Sequence, residues 1–268
     1  MPAVREAAVD GLFYPAAPAA LRARVLAYLA AANAATDIER TPKLLVAPHA
    51  GYEYCGAVAA HAYALLGRRR EPIVRRVVLL GPAHRVALGG LAAPDAETFA
   101  TPLGEIAVDL AALAGLDDLP EVVRSDRAHA GEHSLEVQLP FLQTLLGSFT
   151  LVPLVVGDAD AAAVARVLER LWGGDETLIV ISSDLSHYLR YEQAQAADRA
   201  TVRRILTLDA GLRPHEACGA AAINGALLAA RRHHLAPRLL ALCNSGDTAG
   251  DRDRVVGYAA IAFEDDKR

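Results

Sequence analysis

Two histidines stand at equivalent positions, each just past a short apolar run: His49 in Pro48-His49-Ala50-Gly51-Tyr52 and His84 in Gly81-Pro82-Ala83-His84. A strand that stops at such a turn presents its final side chains, and Gly51 allows the tight geometry this needs. Two imidazoles from neighbouring strands can share a divalent ion, since neutral imidazole suits zinc, copper, iron and nickel alike. Useful affinity calls for a third protein ligand. Asp184, His187, Cys218 and Glu216 are of the right types, and spacing does not choose among them. Ser182-Ser183-Asp184-Leu185-Ser186-His187 sets an aspartate and a histidine three apart beyond another apolar run, a pair able to act as an oriented general base or acid. The plainer alternative there is a capped helix start followed by a surface histidine. Gly131 to Pro140 concentrates polar groups where a helix begins, which the helix dipole explains in part, and His133 is the member with a claim on a pocket. Asn244 ends one more apolar run. His61, His129, His215, His233 and His234 read as structural or surface histidines, and Cys55, Cys218 and Cys243 as buried small residues.

These groups need strands to carry them. The apolar runs Lys43 to Pro48, Val74 to Leu80, Phe149 to Val156, Thr177 to Ile181, Leu239 to Leu242 and Val255 to Phe263 predict six strands of one sheet. Helical patterns lie around and between them at Pro18 to Ala35, Gly56 to Leu66, His133 to Leu146, Asp160 to Leu171, Tyr191 to Leu208 and Pro214 to Arg232. Continuously apolar strands alternating with helices predict an α/β fold: a single three-layer domain over residues 1–268, with a mostly parallel or mixed central sheet and helices on both faces. In such sheets ligands bind beyond the carboxyl ends of the strands, where His49, His84, Asp184, His187 and Asn244 fall. The stretch Leu88 to Asp109, with the turn signal Thr101-Pro102-Leu103-Gly104, predicts a hairpin or a lid over the pocket.

A formal net charge of −5 argues against nucleic acid, whose phosphates usually demand a basic face. Three cysteines without Cys-x-x-Cys spacing argue against a disulfide framework or structural zinc knuckle and point to a reducing compartment. No signal segment and no membrane-length apolar run is present, so the expected location is cytoplasmic. Nucleophile elbows, Walker loops and Rossmann fingerprints are missing, which disfavours nucleotide binding. The preference for arginine over lysine and the abundant alanine suggest a GC-rich bacterial genome.

The ordered set of motifs resembles the Memo-like family, known in bacteria as AmmeMemoRadiSam system protein B. It runs nearly end to end: Gly11-Leu12-Phe13-Tyr14-Pro15, Ala47 to Tyr52, Leu80 to His84, Thr101 to Gly104, His133 to Phe141, Ser182 to His187, Ala217-Cys218-Gly219, Asn244 to Asp247 and Val255 to Tyr258. The resemblance implies a fold like the class III extradiol dioxygenases and a non-haem metal pocket. It implies His49, His84 and Cys218 as metal ligands, with Asp184 and His187 lining the pocket; His133, Tyr54 and Asn244 are the substrate-binding candidates. Cys55 stands where the family's Tyr-x-Tyr-x-Gly turn usually has serine, and the segment after Gly219 is unusually rich in alanine. Cysteine in place of a carboxylate suits Fe(II), with Cu(I) as the alternative.

Two functions follow as expectations. One is a metal-dependent oxidoreductase on a small substrate, with His187, oriented by Asp184, moving a proton. The other is a binding or metal-carrier protein: the resemblance implies radical S-adenosylmethionine and AMMECR-like partner proteins, or an anionic or phosphorylated peptide in the pocket. A zinc or manganese hydrolase has the ligand types but no evident carboxylate to bridge two ions.

Overall fold

Strands that are apolar at nearly every position are stable only when both faces are covered, and four such strands form the centre of the molecule. The computed structural model describes residues 3–33, 42–68 and 73–265. Its strands are β1 (Val4–Arg5), β2 (Leu44–Ala47), β3 (Arg76–Pro82), β4 (Leu91–Ala93), β5 (Thr98–Thr101), β6 (Gly104–Ala107), β7 (Val122–Arg124), β8 (Thr150–Val156), β9 (Thr177–Ser182), β10 (His187–Leu189), β11 (Leu235–Asn244) and β12 (Val255–Asp265). Its helices are α1 (Pro18–Asn33), α2 (Tyr52–Tyr63), α3 (Leu110–Ala114), α4 (Asp126–Ala130), α5 (His133–Glu136), α6 (Leu139–Leu146), α7 (Ala161–Leu171), α8 (Tyr191–Leu206) and α9 (Ala220–Arg232).

The main sheet runs β10-β12-β2-β9-β3-β8-β4-β7, with β11 on the other side of β12. β2, β9, β3 and β8 are mutually parallel, while β12 and β4 flank them antiparallel. The sheet is therefore mixed, with a parallel centre whose four carboxyl ends share one edge. Helices α1, α2 and α6 pack together over one face, and α7 and α9 pack together over the other.

β2 and β3, the strands that precede His49 and His84, are not neighbours. β9 lies between them, so the expectation of adjacent strands is corrected, and the intervening strand ends at Ser182. Leu88 to Asp109 contributes β4 to the main sheet and then the β5–β6 hairpin, which pairs with β1 in a separate three-stranded sheet. The helix expected over His133 to Leu146 breaks at Val137 and Gln138, because Pro140 in the first turn of α6 has no N–H for a continuous ladder. The helix expected from Pro214 begins only after Gly219. Its counterpart from Pro18 ends among described residues at Asn33; Ala34 and Ala35 lie outside them. Ser182 to His187 is not a helix start: His187 opens β10, and a bulge against β12 puts Tyr188 at φ 61°.

Candidate metal centre

Proton bookkeeping along the edge of the sheet shows which nitrogen of each histidine is free. Ser182, last residue of β9, has one hydroxyl proton and gives it to the Ser134 carbonyl at 2.6 Å. Its oxygen can then only accept, and it lies 2.7 Å from Gln138 Nε2 and 2.8 Å from His49 Nδ1. Gln138 is itself oriented, donating to the Pro48 carbonyl and accepting from the Tyr63 hydroxyl. His49 therefore carries its proton on Nδ1 and holds a bare lone pair on Nε2. The ring is buried, and burial together with the charges of His84 and His133 holds its pKa well below the usual histidine value.

A carboxylate holds His84 in the same way. Glu132 Oε1 is 3.0 Å from His84 Nδ1 and accepts the Ser134 N–H, while Oε2 accepts the His84 N–H at 2.6 Å. Burial alone would raise this carboxyl, but the hydrogen bonds from His84 and Ser134 outweigh it and hold Glu132 at about 2. An ionised carboxylate only accepts, so His84 donates through Nδ1 and keeps Nε2 free. This carboxylate–histidine arrangement is the one that orients metal-binding imidazoles and strengthens their basicity.

Cys218 comes from the opposite side, one residue before the N-cap of α9. A Cβ at Gly219 would sit 2.7 Å from Ser183 Cβ and 2.9 Å from the Ser182 carbonyl, so only glycine lets the start of α9 approach β9 this closely. The Cys218 Sγ lies 3.3 Å from His49 Nε2 and accepts the Asp184 N–H at 3.2 Å. Burial, reinforced by Asp184, pushes the thiol up to about 12. Coordination would replace that proton with a cation. One ligand atom from each of His49, His84 and Cys218 lies within 4.8 Å of the others. Two bare imidazole lone pairs and a thiol served by a backbone N–H fit a borderline or soft cation.

Asp184 and His187 do not form the expected dyad. Asp184 Oδ1 accepts the His49 N–H at 2.8 Å, shaping the turn that carries the ligand, while the His187 Nδ1–H goes to the Leu185 carbonyl at 2.9 Å. That bond fixes Nε2 of His187 as the acceptor. Burial lowers His187, against the Leu185 bond, and the nearby charge of His84 lowers it further. Burial raises Asp184 to about 7, against the opposing hydrogen bonds of the His49 turn and the charge of His84.

His133 packs its ring against Phe13, His84 and His49, with centroids 4.8, 4.7 and 5.5 Å away. A groove of ≈ 580 Å³ lies between the Pro82 to Leu88 turn and the start of α9, with Cys218 in its wall. That is room for a small ligand.

Other sequence candidates lie elsewhere. Asn244 caps a turn, accepting the Gly246 N–H at 2.9 Å, and lines a crevice of ≈ 60 Å³ with Asp198, Arg199 and Asp247. Tyr54 is on the first turn of α2 and 39% exposed, outside the converging ligand atoms. Glu216 is bound by Arg204. The Cys55 thiol, in the first turn of α2, donates to the Ala50 carbonyl just before that helix. Sequence reasoning missed Glu132, Ser182 and Gln138. Glu132 was visible only as the residue before His133, and acidic residues at helix starts are too common to single it out.

A family model described as Memo-like protein matches residues 5–262. The chain belongs to the Memo-like family. Among its relatives, a MEMO1 family protein of Metallosphaera sedula is 33% identical over 97% of this chain and 99% of the relative. One of Methanopyrus kandleri is 36% identical over 97% of this chain and 98% of its own. Another, of Aeropyrum pernix, is 40% identical over 81% of each. These relatives are archaeal. The crystal structure of an uncharacterised protein from Escherichia coli K12 superposes with a TM-score of 0.51 at 15% identity, covering 82% of this chain and 99% of that one, a likeness of fold alone. Among the described residues no helix is long and apolar enough to cross a membrane.

Proposed function

We propose that this Memo-like protein is a non-haem, metal-dependent oxidoreductase, dioxygenase-like, acting on a small substrate. His49, His84 and Cys218 hold Fe(II), with copper as the alternative. The observation that carries the reading is that His49 Nε2 and Cys218 Sγ converge at 3.3 Å while each histidine's other nitrogen is tied to a partner that only accepts. Nothing in the packing of a strand edge requires that.

A bound redox ion with open positions would let a substrate and O₂ meet beside it. The groove beside Cys218 admits the substrate, and Phe13 and His133 cover the histidine side. His187, neutral and held by Leu185, offers Nε2 to take a proton. Asp184 fixes the His49 backbone and hydrogen-bonds Cys218 through its own N–H. A reducing, cytoplasmic setting would keep Cys218 reduced and free to ligate as a thiolate.

A binding or carrier role is favoured by one observation. Leu12, beside Phe13, is 81% exposed, and Tyr188, beside His187, is 63% exposed with Arg254 4.9 Å over its ring. Exposed apolar and cationic groups adjoining Phe13 and His187 in the chain would suit an anionic peptide or a radical S-adenosylmethionine or AMMECR-like partner.

Metal analysis of anaerobically purified protein tests the first reading. Near-stoichiometric iron or copper is expected in the wild type and is lost in Cys218→Ser. A wild type that also refuses Fe(II) and Cu(I) on loading would leave the partner reading in its place.

A further inference from the structure

Glu132 does more than orient His84. Its Oε1 also lies 3.3 Å from His133 Nδ1, and one ligand atom from each of His84, Glu132 and His133 falls within 4.8 Å of the others. The contact with His133 is close in distance but not aligned as a hydrogen bond, so the buried Nδ1 of His133 has no hydrogen-bond partner. An orphaned buried nitrogen facing an ionised oxygen is costly unless something satisfies it.

We propose that His84, Glu132 and His133 form a second cation site, taking a borderline or hard divalent ion such as Mn(II) or Fe(II), with His84 as the ligand shared with the cysteine-containing centre. The donor set is two imidazoles and one carboxylate, a combination that selects harder ions than a thiolate does. The spacing fits. An imidazole nitrogen and the Glu132 oxygen, each about 2.1 Å from an ion and 3.0 or 3.3 Å apart as they are here, subtend roughly 90–105° at it, between octahedral and tetrahedral values. The His84 and His133 rings are stacked only 21° from parallel, so closing the triad takes a rotation of one ring about its Cβ–Cγ bond. His133 has no hydrogen bond at Nδ1 to prevent it.

The two sites use opposite nitrogens of one imidazole. With an ion at the cysteine-containing centre, His84 ligates through Nε2 and its Nδ1–H donates to Glu132. With an ion at the carboxylate triad, it ligates through Nδ1 and the proton moves to Nε2. Occupancy of one site thus opposes the other unless His84 gives up its last proton. The inference shares His84 with the proposed oxidoreductase centre but does not depend on that centre's activity.

The test uses the full chain carrying His49→Ala and Cys218→Ser, which keeps only His84 of the first donor set, titrated with Mn(II) alone and followed by the electron paramagnetic resonance of free Mn(II). One bound Mn(II) is expected, with spin-echo modulation from two imidazole nitrogens. Adding His133→Phe, which preserves the ring packing, should weaken binding at least about tenfold and leave a single nitrogen. A double variant that binds no Mn(II), or a triple variant that binds it equally well, overturns the proposal. Wild-type iron or copper content, measured separately, tells its failure from failure of the cysteine-containing centre.

Discussion

The preparation of His49 as a ligand depends on a serine that has no proton to spare. Ser182 spends its hydroxyl on Ser134 and uses both lone pairs on Gln138 and His49. Ser182→Ala would strand two buried donors at once, His49 Nδ1–H and one Gln138 N–H, and free His49 to adopt the other tautomer. We expect metal affinity to fall about 10- to 100-fold, as for other lost ligand-orienting partners. Each stranded donor should also cost about 1–3 kcal/mol of stability. Chelator competition reads the first effect and a urea melt of the metal-free protein the second. An unchanged affinity would mean that Ser182 does not set the tautomer. None of this could be read from the sequence, where Ser182 is one of two adjacent serines and Gln138 a polar residue in an apolar helix. His49 and His84 were legible because each follows an apolar run into a turn. Cys218 rested on family resemblance, since an alanine-rich flank makes a lone cysteine look like core filling.

Strands β2, β3, β8 and β9 were legible because a four- to seven-residue apolar run buried on both faces has little else to be. β11 was visible only at Leu239 to Leu242; Pro237 and Arg238 obscure its start, which an edge position tolerates. β10 was hidden because it exists through pairing with β12, and no local propensity announces a three-residue strand containing a tyrosine at positive φ. The order of strands was not legible either, so β9 between the two histidine strands could not be foreseen. That order makes the junction of β9 with α9 decisive. Gly219→Ala would drive a methyl group into Ser183 Cβ, fixed directly to its own Cα, and into the Ser182 backbone carbonyl, neither of which can swing aside. We expect α9 to be pushed outward, carrying Cys218 from His49. Metal occupancy should drop severely while the protein stays folded with a loss of about 1–3 kcal/mol, the usual cost of overpacking. Full occupancy in Gly219→Ala would show that the close approach is not needed.

The centre is also tied to the far end of the chain. Arg5, buried at the end of β1, donates to the His129 and Glu132 carbonyls and pairs with Glu136, which in turn accepts from the Ala8 and Val9 N–H groups and the Tyr14 hydroxyl. One clamp thus holds the N-terminal segment, with Phe13, against the α4–α5 region that supplies Glu132 and His133. His129 is part of it: Nε2–H donates to the Ala92 carbonyl, Nδ1 is unpartnered, and burial lowers its pKa to about 4, with the nearby Arg5 charge adding to the effect. An unfolded histidine takes its proton near 6.5, the folded one only near 4, so between those values the unfolded chain binds more protons. This contribution to stability is complete above about pH 6.5 and is lost as the pH falls toward 4. Between pH 7 and pH 5 it amounts to about 2 kcal/mol. Other buried histidines titrate as well, so the informative quantity is a difference. In urea melts with chelator present, wild type should lose about 2 kcal/mol more over that interval than His129→Gln, whose amide can still donate to Ala92. Parallel losses in the two proteins would mean that His129 is not kept neutral by the fold. The acid sensitivity would then arise at the other buried histidines, and loading the centre with metal would suppress the share carried by His49.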